Sequence, residues 1–586
     1  MKREREPGDV VARADRGRAI NRASWAAALV TLAVRLPFAA SRLWDHDSIQ
    51  FALGVERYDL AAHHPHPPGY PLYIGLLKLL AALGPLGPLQ VDALHGMVAL
   101  SILAGAMGAA LMVPLTAELL ALAEADARPG RPRRPRRSTA GAIPVPTRTQ
   151  TAGDESAPGR AGLFAAALYT FNPLLWFYGE LPLLYAVEGG VAVALAYGAL
   201  RMAGGRAAFL VTCAGFALAG GLRQSTLVLM APLFLLGVWR GFRRGRLPPG
   251  LLAAGGALAG AVVLAWLVPL CLAAGGWAAY RRIGAEHFRT LLPHTSILYG
   301  AGWGALAHNL TILLKWTLQG LVPAAAALAA LGLAAPRALA SGLRPLRGAL
   351  PWLLAWALPP LLFFALVHVT KAGYTLIHLP ALLAAASLAA APALAGSRAR
   401  AAAATLLAVG VGAALFLFGA DRRPDQPRAL AVVRHEFNRG AIASYEHDLD
   451  QLLATLRRYP AAATVLATVE LSGTGVGAAE GFLYPWHRHL QWYLPEYEVL
   501  WLVPEEGFAL VTRGHHPFVR EDRTIVLPAS TRQLILVLSG PTGDRLALPP
   551  GPLTRIGQTF HVLAVPFPGT LRLGPLLLTA ERRRAA

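Results

Sequence analysis

The chain has 586 residues, of which 55% are hydrophobic and only 15% charged. Soluble chains carry roughly 25% charged residues, and many apolar runs here reach the ~20 residues that cross a bilayer, so a wholly soluble protein is excluded. The net charge of +21 is concentrated: residues 1–420 hold 36 basic and 17 acidic side chains (+19), residues 421–586 hold 18 and 16 (+2). An excess confined to the hydrophobic part is a topology signal, and no nucleic-acid partner is expected from it. The two cysteines, Cys213 and Cys271, lie inside apolar runs and build no disulfide framework.

In chain order, eleven apolar runs read as candidate transmembrane helices: about 23–41, 91–121, 161–178, 184–200, 207–222, 225–239, 250–273, 308–334, 349–367, 374–395 and 401–420. With a cytoplasmic N-terminus, 26 Lys and Arg fall in inner segments and eight in outer ones, as the positive-inside rule requires. The inner segments include a basic tail (1–22) and an Arg/Pro-rich loop (123–160), read as a cytoplasmic loop that fixes orientation. The polytopic domain then spans 23–420, with a first outer loop at 42–90. An odd number of crossings puts 421–586 on the extracytoplasmic side. The expected location is the inner membrane of a bacterium, the bacterial origin being inferred from the Ala, Leu, Gly and Arg usage.

From about 421 the composition changes. A helical stretch (Tyr445 to Tyr459) precedes β-type runs at Thr464–Val469, Val499–Val503, Phe508–Thr512, Gln533–Leu538, Phe560–Val565 and Thr570–Leu573, separated by Gly and Pro clusters. The expected architecture is therefore an α-helical polytopic membrane protein with a C-terminal α/β or mostly β domain. An aromatic cluster from Phe482 to Pro495 is expected to pack that domain onto the outer loops, or to face a glycan.

The first outer loop carries the chemistry. It reads Trp44-Asp45-His46-Asp47-Ser48-Ile49-Gln50-Phe51, then His63-His64-Pro65-His66-Pro67-Pro68-Gly69-Tyr70-Pro71-Leu72-Tyr73. Two carboxylates at the headgroup level are functional candidates, and a carboxylate in a partly apolar cleft can serve as a general base. The alternative is structural: Asp and Ser here also suit the N-cap of a following helix. Side chains two apart diverge by about 200° on a helix but share a face in extended chain, so Asp45 and Asp47 both serve only if the loop starts extended. Four histidines (His46, His63, His64, His66) could in principle bind a divalent metal, but the proline-constrained order argues for a rigid lead-in to a short interfacial helix, 69–83, and no metal or other cofactor is expected.

These motifs resemble the GT-C superfamily of polytopic glycosyltransferases, above all the bacterial branch related to protein O-mannosyltransferases. Its members place a D-S-G-E-F-like motif after the first span and H-P-P-G-Y-P-L-Y some twenty residues later. Here Asp47 to Phe51 match the first, with Gln50 where the family has glutamate, and His66 to Tyr73 match the second without a gap. Asn172 to Trp176 followed by Glu180 and Tyr185, Gly220 to Ser225 with Pro232, and Lys371 to Tyr374 with Pro380 are further points of likeness.

The resemblance implies a fold of this class and an inverting transfer of a sugar from a polyprenyl-phosphate donor at the outer face. Asp47, or less favourably Asp45, would take the proton of an acceptor hydroxyl. The departing phosphate needs fixed positive charge. Among the eight outer cations Arg223 and Lys371 are preferred because each lies in a tight turn beside a family-like motif, with Arg281 and Arg282 behind them. His66, Tyr70, Tyr73, Glu180 and Tyr374 are expected to contact substrate. Partners are then the lipid-linked donor, membrane lipids, and an acceptor that is a protein, a lipid or a glycan. A polytopic lipid or glycan transporter, or a nonenzymatic envelope assembly factor with a degenerate site, is the alternative.

Overall fold

The computed structural model describes residues 7–83, 92–126, 157–419, 437–469, 486–539, 549–557 and 560–580. The Arg/Pro-rich run and the first part of the aromatic cluster (482–485) lie outside the described residues. The polytopic part runs α1 (Pro7–Arg35), α2 (His46–Glu56), α3 (Pro71–Leu83), α4 (Ala93–Asp126), α5 (Ala157–Thr170), α6 (Pro173–Glu180), α7 (Leu184–Arg201), α8 (Arg206–Leu222) and α9 (Gln224–Arg243). It continues with α10 (Pro249–Ala273), α11 (Trp277–Thr295), α12 (Gly302–Ala334), α13 (Pro336–Ser341), α14 (Leu343–Leu366), α15 (Leu379–Ala395) and α16 (Arg398–Phe418).

Over its described residues each of the eleven apolar runs is mainly helical, and seven of the described helical segments are long and apolar enough to cross a membrane by length and composition. The chain is an integral membrane protein. Large apolar side chains stand exposed along α8, α9 and α10, Val211, Val228, Leu264 and Leu272 among them. Large apolar side chains left open in this way suit a surface that faces lipid rather than water. The expected single span 161–178 is two helices. Asn172 takes extended backbone before Pro173, and its side-chain oxygen accepts from Leu174 and Leu175 N–H as the cap of α6. Its amide donates to the Gly320 carbonyl at 2.6 Å, tying the break to α12.

The C-terminal domain adds α17 (Arg439–Leu456), α18 (His487–Tyr493) and ten strands: β1 (Thr464–Val469), β2 (Glu498–Val503), β3 (Phe508–Arg513), β4 (Val519–Asp522), β5 (Thr524–Leu527), β6 (Gln533–Ser539), β7 (Leu553–Ile556), β8 (Phe560–Pro566), β9 (Thr570–Leu573) and β10 (Leu576–Ala580). Seven strands form one sheet in the order β4-β3-β2-β1-β6-β8-β7, with β1 parallel to both β2 and β6 and the other pairs antiparallel. Strands β5, β10 and β9 form a second, small sheet.

Strand β1 is buried on both faces, as the centre of a parallel set should be. Its alternation sends Val465, Ala467 and Val469 towards the small sheet. Leu466 points the other way, into Leu449, Leu452 and Leu453 of α17 and Leu490 of α18. All six predicted strands are present, in an α/β arrangement. The four extra strands are short, and β4 (Val-Arg-Glu-Asp) is an exposed edge strand without an apolar pattern to announce it.

Candidate active site

Helix α1 ends in a 3-10 turn at Leu36–Phe38, and the chain then crosses irregularly to Asp45. Asp45 is the N-cap of α2. Its Oδ1 accepts from the N–H groups of Asp47 (2.9 Å) and Ser48 (3.2 Å), while Ser48 Oγ accepts from Asp45 N–H, completing a capping box. Asp47 sits in the first helical turn, where the helix dipole favours a negative charge. The structural role open to this Asp-Ser stretch thus falls to Asp45.

Lys371 comes from the turn between α14 and α15 and joins the two acids. Its ammonium donates to Asp45 Oδ2 at 2.6 Å and to Asp47 Oδ2 at 2.5 Å. Asp45 then has both oxygens engaged, whereas Asp47 Oδ1 has no hydrogen-bond partner among the described residues. Asp47 is also the more open of the pair, with 21% of its side chain exposed against 9% for Asp45. Burial raises the pKa of Asp45 above the usual carboxylate range. For Asp47 burial, the largest single influence, pushes the same way, but the charge and hydrogen bond of Lys371 together with His66 and His46 overcome it and hold the carboxyl well below that range.

The second motif forms the wall beside this pair. Gly69 has φ of +106°, and a Cβ there would meet Tyr58 Oη at 2.7 Å, so only glycine fits. Tyr58 Oη in turn donates to the Gly69 carbonyl at 2.7 Å. The turn delivers Tyr70, whose hydroxyl shares a 2.7 Å hydrogen bond with His66 Nε2, both rings packing on Phe51. His287 of α11 approaches the rings of His63 and His66. Burial lowers His63 to about 4 and His64 and His66 to about 3, so these imidazoles are neutral at pH 7. Among the described residues, no three His, Cys, Asp or Glu side chains group as a metal site.

On the other side, Tyr185 opens α7 and donates to Asp47 Oδ2 at 3.5 Å. Its ring meets Tyr374 edge-on at 5.3 Å, and the Arg223 guanidinium lies over both rings, 4.8 Å from Tyr374 and 5.7 Å from Tyr185. Gly373 lets the strand of contacts close, since a Cβ there would strike the Tyr185 ring at 2.4 Å. Arg223 is held by Glu188, Nη1 to Oε2 at 2.7 Å, and Thr226 donates to the second Glu188 oxygen at 2.7 Å. Arg223 Nε and Nη2 have no hydrogen-bond partner among the described residues.

Of the expected site residues, Asp45, Asp47, Lys371, Tyr374, Arg223, His66 and Tyr70 converge. Tyr73 is fully buried behind Phe51, 5.2 Å ring to ring, and belongs to the core. Glu180 is buried beside Arg35 at the end of α1 and away from the acid pair. Arg281 and Arg282 are exposed on α11 with no ion pair among the described residues. Tyr185 links Asp47 to Arg223, and Glu188 holds that arginine; an aromatic and an acid one turn apart at a helix start were the available signal.

Residues 58–244 match the family described as Protein O-mannosyl-transferase TMEM260 N-terminal domain. The crystal structure of ArnT from Cupriavidus metallidurans in the apo state superposes with a TM-score of 0.50 at 13% identity, covering 92% of this chain and 96% of that one. The chain has a GT-C fold. ArnT from the same organism bound to undecaprenyl phosphate gives a TM-score of 0.49 at 15% identity, with the same coverage. No curated protein matches the chain. The GT-C fold was the expected one, and the family match covers the second first-loop motif and the elements through α9.

Proposed function

We propose that this GT-C protein is a membrane glycosyltransferase that moves a sugar from a polyprenyl-phosphate donor to an acceptor hydroxyl at the outer face, with inversion. The observation that carries the reading is the Lys371 ammonium bridging Asp45 and Asp47 while leaving Asp47 Oδ1 free. Asp45 and Lys371 fix the second carboxylate, and Asp47 is the base. The acceptor oxygen attacks the anomeric carbon as its proton passes to Asp47 Oδ1. The bond from that carbon to the phosphate oxygen breaks, and the electron pair leaves with the lipid phosphate. A single displacement of this kind inverts the anomeric centre.

Arg223 is the phosphate contact of choice. Its Nε and Nη2 are open while Glu188 holds the third nitrogen, and Arg offers planar donors to phosphate. Lys371 is already committed to two carboxylates, so its part is to orient Asp47 and to contribute charge from behind. Arg281 and Arg282 are exposed on α11, and their part in this reading is to meet an approaching headgroup rather than the reacting atoms. His66, Tyr70 and Tyr374 line the sugar side. Glu180 and Tyr73 support the fold around it. The O-mannosyltransferase description of the matched family favours a hexosyl group and a hydroxyl acceptor, and undecaprenyl phosphate, named in one ArnT crystal structure, is the lipid class this reading expects. The reading needs no metal, so transfer should survive a chelator; inhibition by EDTA that divalent ions reverse would refute that part.

The test is Asp47→Asn in membranes supplied with a polyprenyl-phosphate sugar. General-base loss removes ~10²–10⁴ in rate, so transfer should fall at least about 100-fold with donor binding retained. Full transfer by a folded variant would sink Asp47 as the base; no transfer by the wild type would favour a transporter.

A further inference from the structure

The segment that delivers the acid pair finds little hydrogen bonding within the membrane part. Ala40 N–H still donates to the Glu180 carbonyl at 3.0 Å, but from Ser41 to Leu43 backbone groups turn to the C-terminal domain. The N–H groups of Ser41 and Arg42 both donate to Glu446 Oε1, at 2.5 and 3.2 Å. Leu43 is 1% exposed, and its two polar backbone groups are taken by two tyrosines. Its N–H donates to Tyr493 Oη at 2.8 Å, and its carbonyl accepts from Tyr445 Oη at 3.0 Å. His489 Nε2 lies 2.7 Å from the Tyr445 hydroxyl, which fixes that donor.

The grip continues beyond α2. Glu56, the last residue of α2, pairs with His515 at 2.6 Å, and that ring stacks on Trp492. Arg488 of α18 reaches His64 Nε2 at 3.0 Å and the Ala62 carbonyl at 3.2 Å. A buried backbone group without a partner is strongly disfavoured, so each of these contacts restricts where the loop can sit. We propose that the C-terminal domain is a positioning element for the acid pair: Tyr445, Tyr493 and Glu446 set the place of Asp45 and Asp47 by holding residues 41–43. This rests on the glycosyltransferase reading above for its kinetic consequence only. A displacement of about 1 Å in a reacting group can lower a rate ~100-fold, while substrate affinity, set elsewhere, need not change.

The experiment uses the full chain in detergent or membranes, comparing wild type with the double variant Tyr445→Phe/Tyr493→Phe and, as a control, Tyr497→Phe. Tyr497 donates to the Tyr459 carbonyl at 2.7 Å inside the C-terminal domain and does not touch the loop. Two readouts are taken: amide hydrogen exchange of peptides covering 41–48, and kcat and KM for sugar transfer. Exchange in 41–48 should quicken at least tenfold in the double variant, and kcat should fall at least tenfold with the donor KM within twofold; Tyr497→Phe should change neither. Wild-type protection of 41–48 in the double variant, or lost protection with kcat intact, overturns the proposal. So does an equal kcat loss in Tyr497→Phe, which would make the effect one of domain stability. Should wild type transfer no sugar, the functional reading fails while the exchange result alone decides positioning. If the double variant does not fold, Glu446→Gln is read by the same two measurements and the same criteria.

Discussion

Lys371 decides what the two loop acids can be. Two carboxylates that close cannot both stay ionised in a buried site without a cation between them. With Lys371 present, Asp47 is held below the usual range although burial opposes it. The carboxylate therefore persists well under pH 7, and kcat/KM should be level between about pH 7 and 5. In Lys371→Met the main group that lowers Asp47 is gone and burial is opposed only by His66 and His46, so the acid limb should move up by about one pH unit or more and kcat should fall at least about 100-fold. A pH–rate profile of both proteins checks this; an unmoved limb would contradict the role given to Lys371. In the sequence the acids and the lysine were each visible, the acids by motif and the lysine by the scarcity of outer cations. Their union was not, because Lys371 and Asp47 stand 324 residues apart and nothing local couples them.

At the scale of elements, α2 is the part most exposed to small change. Ser48 is buried and closes the capping box on Asp45. Ser48→Ala should lower stability by about 1 kcal/mol, read as a melting temperature a few degrees lower. It should also reduce transfer, because Asp45 then anchors both the helix start and Lys371 with one contact fewer. Melting and activity assays on the same preparation measure both effects. The helices were legible because long Ala/Leu runs admit little else, and the six stronger strands because β-branched residues alternate between Gly and Pro clusters. The break at Asn172-Pro173 was on view as a cap signal inside an apolar run, yet hydropathy smooths over one polar residue. Strand β4 was not legible at all: its pairing with β3 is a tertiary choice, with no pattern of its own.

For the whole molecule, the charge partition predicts orientation. If the C-terminal domain is extracytoplasmic, Val519→Cys, 63% exposed on β4, placed in a cysteine-free background should react with an impermeant maleimide on intact cells. A cysteine at Arg206, exposed at the start of α8, should react only after permeabilisation. The reverse pattern would invert the topology and move the acid pair to the inner face. The membrane fold and the first-loop motif were legible early; the docking of the C-terminal domain was foreseen only as packing by an aromatic cluster.

The bonds from Leu43 to Tyr445 and Tyr493 cross 402 and 450 residues of chain. Ribosomes add ~5–20 residues per second, so the loop waits on the order of 20–90 s after synthesis for the groups that complete it. When the loop is made the nascent protein carries its acids, its lysine is still to come, and its C-terminal domain is unmade. On the positioning proposed for the C-terminal domain, membrane insertion comes first and chemical competence last. Under the proposed function, a chain cut short before Tyr493 is translated would be inserted but idle, unable to act on a lipid-linked sugar that reached it early.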